Sequence, residues 1–241
     1  GLPSGGIRIY GEYEPNPLGP WSPRVMSYIS DNGVQFSLES GVRVGEGRMP
    51  SVIRLSDGRY RLYLEDTSPT EASFWSAISS DGLNFTLEPG NRLTSTGGEN
   101  EVNGFTSPRV LTLKDGRFRM YYGGIKSGPN GDCLLLSAIS TDGLIWTRED
   151  GIRINAKSFC SDWAGSFLSG PVIDANGTVR LYWGFLKCDS QGKNDHFGIF
   201  EFTSADGLAF TQDPTLVVEG YYINSKFKGS GSDPRLFPTA P

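Results

Sequence analysis

The 241-residue chain has few residues of the types that metal and nucleophile sites use most, with three Cys and a single His. Three Cys allow one disulfide at most and exclude a cysteine-rich zinc module. The lone His196 excludes a multi-histidine metal site and leaves any Ser-His-Asp triad dependent on one residue. The sequence therefore predicts no metal site.

Clustered positive charge and long apolar runs are also lacking. The formal net charge is −5, and no run of Lys or Arg could neutralise a series of phosphates. No stretch approaches the ~18 apolar residues that a membrane span requires. We therefore expect neither a nucleic-acid partner nor a membrane span, and we expect a monomer.

Glycine and proline are abundant instead, with 32 Gly and 15 Pro. Long helices are disfavoured, because Gly costs backbone entropy and Pro removes a donor and clashes with the preceding turn. The 14 Phe, 10 Tyr and 5 Trp are enough to build a hydrophobic core. The composition predicts an all-β domain of many short strands joined by tight turns.

Three motifs recur along the chain with a period of roughly 60 residues. The first is a polar turn before an aromatic residue, with its glycine at Gly33, Gly82, Gly143 and Gly207. The second is Arg-x-Tyr, starting at Arg8, Arg61, Arg119 and Arg180. The third is a proline expected to open a β-branched run, at Pro50, Pro108, Pro171 and Pro234. Motifs that repeat in fixed order favour a β-propeller over a β-sandwich.

One unit shows how the strands are expected to run. Residues 51–55 and 59–65 form the first two strands, joined by the hairpin turn Asp57-Gly58. Residues 74–79 and 84–87 form the third and fourth strands, joined at Asp81-Gly82. Four antiparallel strands per unit are typical of a propeller blade.

The unit boundaries predict one domain of four blades over residues 1–241. A composite blade combines residues 6–47 with 232–238, and continuous blades cover 48–105, 106–168 and 169–231. The N-terminal unit lacks a proline-led first strand, and the C-terminal strand Asp233–Phe237 is expected to supply it and close the ring. A five-bladed propeller is the alternative.

Two segments, 57–63 (Asp-Gly-Arg-Tyr-Arg-Leu-Tyr) and 79–85 (Ser-Ser-Asp-Gly-Leu-Asn-Phe), resemble the five-bladed propeller glycoside hydrolases of family 43 and their relatives in families 32 and 130. The resemblance covers nearly the whole chain and rests on blade-building residues. In family 43 an Asp before the first inner-strand proline is the general base, and a second Asp before a later such proline tunes the acid. A Glu in a Glu-Gly-Pro pattern is that general acid.

The corresponding positions in this sequence have mostly lost their carboxylates. The residues before the four prolines are Met49, Ser107, Gly170 and Asp233, and the Glu-Gly-Pro position reads Ser169-Gly170-Pro171. Met, Ser and Gly cannot donate a proton to a leaving oxygen or activate water as a carboxylate does. The resemblance therefore implies a glycosidase-like propeller without most of the family's catalytic apparatus.

Long loops are expected at the end of the propeller where first strands begin and second strands end, around the mouth of the central channel. Aromatic rings stack on sugars and carboxylates accept hydrogen bonds from hydroxyl groups. The candidate substrate-binding residues are Trp21, Trp75, Trp163, His196, Arg109 and Arg235. The alternatives are packed loop anchors for the tryptophans, a hydrogen-bonded loop residue for His196, and ion pairs between blades for the arginines.

Three acids are the candidates for catalysis, namely Asp233, Asp66 and Glu101. Asp233 keeps the family pattern, and either of the other two could face it from a loop, with a solvated loop acid as the alternative. The expected function is a carbohydrate-binding or carbohydrate-processing propeller without the usual catalytic residues. An active glycoside hydrolase with relocated carboxylates and a protein-interaction propeller are the alternatives.

The cysteines bear on the compartment of the protein. Cys160 and Cys188 fall in loops on the same face and are expected to form a disulfide, which leaves Cys133 as a buried thiol. This pairing fits a secreted or periplasmic protein, whose signal is not present in this chain. We expect a carbohydrate or other small polar ligand and no required cofactor, although converging carbonyl groups in the channel could hold a structural cation.

Overall fold

The computed structural model describes residues 1–2, 5–15, 22–66, 72–125, 133–155, 163–168, 170–188, 194–211, 214–223 and 226–230. Every regular element in these ranges is a β-strand. The strands form four antiparallel sheets that follow one another in a ring, which is a four-bladed β-propeller. The predicted fold class is therefore confirmed.

The first two sheets follow the predicted strand order. The first contains β1 (Ile7–Tyr13), β2 (Arg24–Ser30) and β3 (Ser37–Leu38). The second contains β4 (Arg48–Arg54), β5 (Tyr60–Glu65), β6 (Ser73–Ser79) and β7 (Thr86–Leu87), and β8 (Leu93–Thr94) also pairs with β6. Among the described residues, β1 is the innermost strand of its sheet. Residues 231–241, which carry the expected closing strand, lie outside the described ranges.

The third and fourth sheets repeat the arrangement with additions. The third contains β9 (Phe105–Thr112), β10 (Phe118–Ile125), β11 (Cys133–Ser140), β12 (Thr147–Arg148) and β13 (Ile154–Asn155). The fourth contains β14 (Trp163–Leu168), β15 (Val172–Ile173), β16 (Val179–Cys188), β17 (Asn194–Ser204), β18 (Thr215–Ile223) and β19 (Lys226–Ser230). Since β14 pairs with β16, this sheet begins at Trp163, ahead of the boundary expected at residue 169.

Pro50 and Pro108 lie inside β4 and β9 and do not open these strands as expected, whereas Pro171 directly precedes β15 and Pro234 lies outside the described ranges. Pro50 and Pro108 fall where the strand register shifts, between Arg48 and Ser51 in β4 and opposite Tyr121–Gly123 in β9. Pro171 separates β14 from β15, and both of these pair with β16. Proline has no N–H for the ladder, so it is tolerated within a strand at a bulge.

The Arg-x-Tyr motif connects each of the first three sheets to the sheet that follows it. Arg61 pairs with Glu88 of its own sheet through Nε and Nη2, at 2.8 and 3.0 Å, and donates from Nη1 to the Asp142 carbonyl of the next sheet at 2.7 Å. The Tyr63 hydroxyl donates to the Gly143 carbonyl at 3.0 Å. The same bonds join Arg8 and Tyr10 to Asp81 and Gly82, and Arg119 and Tyr121 to Asp206 and Gly207.

The polar turns are built so that they can receive these bonds. In the second sheet the Asp81 carboxylate accepts the N–H groups of Asn84 and Leu83, both at 2.8 Å. These bonds hold the pKa of Asp81 well below its usual range. Gly82 has a φ of 71°, and a Cβ there would lie 2.7 Å from the Tyr10 hydroxyl. Glycine is therefore required both by the backbone conformation and by the close approach of the tyrosine.

The hydrophobic core fills the spaces between consecutive sheets. Leu62 and Leu64 pack with Val25 between the first and second sheets. Between the later sheets the fillers are aromatic, and they include Phe74, Phe105 and Tyr122 at one junction and Trp183, Phe185 and Phe202 at the next. Aromatic side chains therefore contribute to the core at both of these later junctions.

Candidate functional site

Two residues with unusual backbone conformations lie where the inner strands enter the ring. Met49 and Ser107, each directly before an inner-strand proline, have φ values of 51° and 58°. This left-handed region is uncommon for residues other than glycine, and strained positions concentrate at functional sites. Both residues fall in the bulges of β4 and β9. We take this part of the channel mouth as the candidate site.

A glutamate of the preceding sheet holds each bulge. The Glu65 Oε2 atom accepts the Ser107 N–H at 3.0 Å and the Thr106 hydroxyl at 2.6 Å. The Glu12 Oε2 atom accepts the Met49 N–H at 3.2 Å. Charge-assisted hydrogen bonds of this kind stabilise a backbone conformation that would otherwise be costly.

These two glutamates occupy the same place in the repeat, four residues after the arginine of the Arg-x-Tyr motif. In the third and fourth units this position is Gly123 and Gly184. Sequence reasoning did not select Glu65 as a site residue. The recurrence of Glu at one register position in neighbouring units was the signal that could have identified it.

The buried Glu65 also pairs with a cation. Its Oε1 atom lies 3.1 Å from Arg48 Nε, at the start of the same bulged strand whose next residue is Met49. Both carboxylate oxygens of Glu65 are therefore occupied by protein groups. Such a carboxylate acts as a structural anchor for two consecutive inner strands.

Arg109 connects the inner strands of the second and third sheets. Its Nη1 atom donates to the carbonyl oxygens of Met49 and Pro108, both at 2.9 Å, and lies 3.3 Å from that of Pro50. Burial lowers the pKa of Arg109 to about 10, and the charge of Glu65 opposes that shift. The guanidinium is therefore positively charged at neutral pH, and it brings a cation to the bulges that carry Met49 and Ser107.

Asp66 and Trp75 lie at the end of the second sheet where β5 ends and β6 begins. The Asp66 N–H donates to the Ser73 carbonyl at 2.9 Å, and its Oδ2 atom accepts the Ser73 hydroxyl at 3.2 Å. Trp75 is half-buried and packs against the core between the first and second sheets. A Cβ at Gly47 would lie 2.8 Å from the Trp75 ring, so the ring also supports the segment that leads into β4.

Glu101 is buried away from the inner strands. Its carboxylate makes two hydrogen bonds with Arg148 of β12, at 2.9 and 3.0 Å, and accepts the Tyr122 hydroxyl at 3.0 Å. Burial and this carboxylate raise the pKa of Tyr122. Because β12 is the strand farthest from the channel in its sheet, the structure does not bring Glu101 to the mouth. The group lines a cavity of about 220 Å³ at the outer side of the sheet.

Two other predicted residues meet in the fourth sheet. Trp163 and His196 are both register partners of Lys187, so the three residues form one row across β14, β16 and β17. Cys188 follows directly and pairs with Asn194. For Trp163, Lys187, Cys188, Asn194 and His196 the structure describes the backbone pairing. The remaining predicted residues, Trp21, Asp233, Arg235 and Cys160, lie outside the described ranges.

Among the described residues, no three side chains of His, Cys, Asp or Glu are grouped so that they could hold a metal ion. No helix there is long and apolar enough to span a membrane. The expected channel cation stays a prediction.

Solved structures of several glycosidases share the fold of this chain. No protein-family model matches the chain, and no curated protein matches it in sequence. One matching structure comes from glycoside hydrolase family 130, described as mannoside phosphorylases containing glycoside hydrolases that target β-1,2-mannosidic linkages in Candida mannan. It is 14% identical and has a TM-score of 0.64, over 97% of this chain and 82% of that one.

Two further structures represent other glycosidases. An endo-arabinase from Bacteroides thetaiotaomicron is 15% identical with a TM-score of 0.62, over 93% of this chain and 89% of that one. A family 32 β-fructofuranosidase from Bombyx mori is 15% identical with a TM-score of 0.65, over 92% of this chain and 51% of that one. Identities this low show a shared fold, and the predicted resemblance to these families is confirmed at that level.

Proposed function

We propose that the protein is a carbohydrate-binding propeller with the fold of glycoside hydrolases but without their acid–base pair. The proposal includes a secreted or periplasmic location, a Cys160–Cys188 disulfide and a ligand that binds at the channel mouth. The shared fold supports the ancestry, and the residues at the mouth support the loss of catalysis.

The bulges at Met49 and Ser107 carry the proposal. Both positions precede inner-strand prolines, where the family resemblance leads us to expect carboxylates, and both hold uncharged residues. Both residues have a left-handed backbone, and each is held by a glutamate of the preceding sheet. The scaffold of the site is therefore present without the groups that would react.

In the described part of the chain, Glu65 and Glu101 are held by protein groups, which supports the loss of the acid–base pair. Hydrolysis of a glycosidic bond needs two carboxyl groups about 5–9.5 Å apart across the substrate. Glu65 is engaged by Arg48, Thr106 and Ser107, and Glu101 is engaged by Arg148 on the outer strand. Both carboxylates stabilise the fold through these contacts, which supports a binding function.

Binding is tested with a glycan array probed by the purified protein, followed by calorimetry with the strongest ligand. We expect Trp163→Ala and His196→Ala each to weaken binding at least about tenfold, since both lie in one row at the mouth end of the fourth sheet. The control is Ile145→Ala, because Ile145 is 76% exposed on a turn at the opposite end. An array without any bound glycan, or equal affinity in all three variants, would contradict the proposal.

A further inference from the structure

The outer end of the junction between the second and third sheets holds an ion pair that the repeat does not require. Glu101 is buried in the segment between β8 and β9, and its carboxylate pairs with Arg148 of β12. The equivalent positions in the outer strands of the first and second sheets are Leu38 and Leu87. Apolar side chains in place of a buried ion pair are often equally stable, although the loss of one partner is costly. The pair therefore points to a role beyond stability.

The segment 95–104 is folded around Glu101 and forms one wall of a cavity. The Glu101 N–H donates to the Gly98 carbonyl at 2.8 Å. A Cβ at Gly124 would overlap the Asn100 carbonyl oxygen, so the segment can lie against β10 only because residue 124 is glycine. The cavity between this segment and β12 has a volume of about 220 Å³.

The pairing of Arg148 leaves one edge of its guanidinium group open. Nε and Nη2 face the Glu101 carboxylate at 3.0 and 2.9 Å, and Nη2 also donates to the Thr94 carbonyl at 2.8 Å. Nη1 points away from this edge because the guanidinium group is planar and rigid. Arg148 lines the cavity, and its Nη1 has no acceptor among the described residues. Glu101 therefore holds a free donor in a fixed position.

Two further polar side chains line the cavity with unused groups. The Asp150 carboxylate is exposed, and neither it nor the Asn100 side-chain amide makes a hydrogen bond to a described residue. The first and second sheets have Ser40 and Pro89 where Asp150 stands, so they lack this acid as well as the arginine. Leu136 gives the cavity an apolar wall. A charged donor, a carboxylate acceptor and an amide thus surround one small apolar surface.

We propose that this cavity is a second carbohydrate-binding site, which holds one neutral sugar unit on the outer wall of the propeller, separate from the mouth. A sugar hydroxyl both donates and accepts, so neighbouring hydroxyl groups can accept from Arg148 Nη1 and donate to the Asp150 carboxylate. The C–H face of the ring would then cover Leu136. The cavity has the volume of about seven water molecules, which is enough for one sugar ring.

The charges around the cavity favour a neutral ligand over an anion. The positive charge of Arg148 is offset by Glu101, whereas Asp150 has no counter-ion among the described residues. A carboxylate or phosphate group in the cavity would therefore be repelled by Asp150. A sugar hydroxyl carries no such penalty.

The probes are the methyl glycosides of glucose, mannose, galactose and arabinose, with glucuronate and glucosamine as charged comparisons. Binding to the purified, isotope-labelled protein is measured by chemical-shift titration, which reports where each sugar binds and so separates this site from the mouth. We expect saturable shifts at the backbone amides of Gly98, Asn100 and Gly151 with at least one neutral sugar, and a Kd of about 1 mM. Glucuronate should bind more weakly than that sugar.

Two variants test the groups that would contact the sugar. Asp150→Asn keeps the shape of the side chain and should weaken binding at least about fivefold. Arg148→Leu combined with Glu101→Gln installs the leucine of the first two sheets and should abolish the shifts, with its fold checked by urea unfolding. The control is Asp115→Asn, because Asp115 is a half-exposed turn acid of the same sheet that does not line the cavity, and it should leave the affinity unchanged.

Four outcomes would overturn the proposal. They are no saturable shift at these amides up to about 20 mM sugar, equal affinity of Asp150→Asn and the wild type, tighter binding of glucuronate than of any neutral sugar, and binding of glucosamine alone. Binding confined to the mouth would also overturn it, while the function proposed for the mouth would stand.

Discussion

Replacing Glu65 by alanine tests whether this carboxylate anchors the candidate site. The substitution removes the acceptor for the N–H of Ser107 and the Thr106 hydroxyl, and it removes the partner of Arg48. Ser107 is buried and has a left-handed backbone, so its N–H has no simple route to water. We expect a large loss of stability.

The magnitude follows from burial. Breaking a buried ion pair costs about 3–5 kcal/mol, and a buried N–H without an acceptor costs about 1–3 kcal/mol, with overlap between the two. The Arg48 side chain is 29% exposed, so water partly replaces its lost partner. We therefore expect Glu65→Ala to lower the free energy of unfolding by about 3 kcal/mol.

Glu12 supplies a matched control, because it occupies the same repeat position with weaker engagement. It is exposed, and it accepts one backbone hydrogen bond, from the Met49 N–H at 3.2 Å. Glu12→Ala should cost about 1 kcal/mol or less. Both variants are compared with the wild type by urea unfolding, monitored by tryptophan fluorescence. The comparison requires that the denaturant m-value be the same in all three proteins. A cost for Glu65→Ala no greater than that for Glu12→Ala would refute the anchoring role.

Three further predictions concern the turns and the cysteines. Tyr63→Phe should lower the free energy of unfolding by about 1 kcal/mol in the same urea assay, because it removes the hydroxyl that donates to the buried Gly143 carbonyl and leaves the ring N–H of Trp146 as the donor to that oxygen. Hydrogen bonds from two backbone N–H groups of the turn lower the pKa of Asp206 to about 2. The stability advantage of the wild type over Asp206→Asn should therefore shrink as the pH falls from about 4 to 2. Non-reducing mass mapping should find Cys160 joined to Cys188.

The controls and contradicting outcomes follow from the same chemistry. Tyr13→Phe should leave the free energy of unfolding almost unchanged, since Tyr13 is 48% exposed. If Tyr63→Phe lowered it no more than Tyr13→Phe does, the hydrogen bond between the sheets would be contradicted. The contribution of Asp206 is present above the unfolded pKa and lost below it, because the folded pKa is the lower one. A pH-independent difference would contradict this sign. Three free thiols in the mass map would exclude the disulfide.

The sequence contained enough to predict the four sheets because the repeat signals are local. Each Asp-Gly turn and each Arg-x-Tyr strand is defined by a few residues that are neighbours in the sequence. The turn at Gly82, for example, is held by hydrogen bonds within its own segment. Pro50 and Pro108 were expected to open their strands, and they lie within them. A bulge is defined by how a strand pairs with its partner, as in the pairing of β9 with β10. The alternation of apolar and polar residues along a single strand does not reveal it.

The candidate site was harder to predict because its contacts join distant segments. Glu65 meets Ser107 across 42 residues, and Glu101 meets Arg148 across 47. Loop position alone suggested that Glu101 could face the channel, whereas its arginine partner holds it beside the outermost strand. A search for carboxylates at equal repeat positions would have selected Glu65, since Glu12 shares that position.

Hydrolysis of a panel of aryl-glycosides tests the central claim most directly, namely that the mouth binds carbohydrate without an acid–base pair. The wild type is assayed with Asp233→Asn, which removes the one acid retained before an inner-strand proline, and with Asp57→Asn, an exposed turn residue at the opposite end. We expect no turnover above the uncatalysed rate in any of the three proteins. Turnover by the wild type and Asp57→Asn that is lost in Asp233→Asn would contradict it.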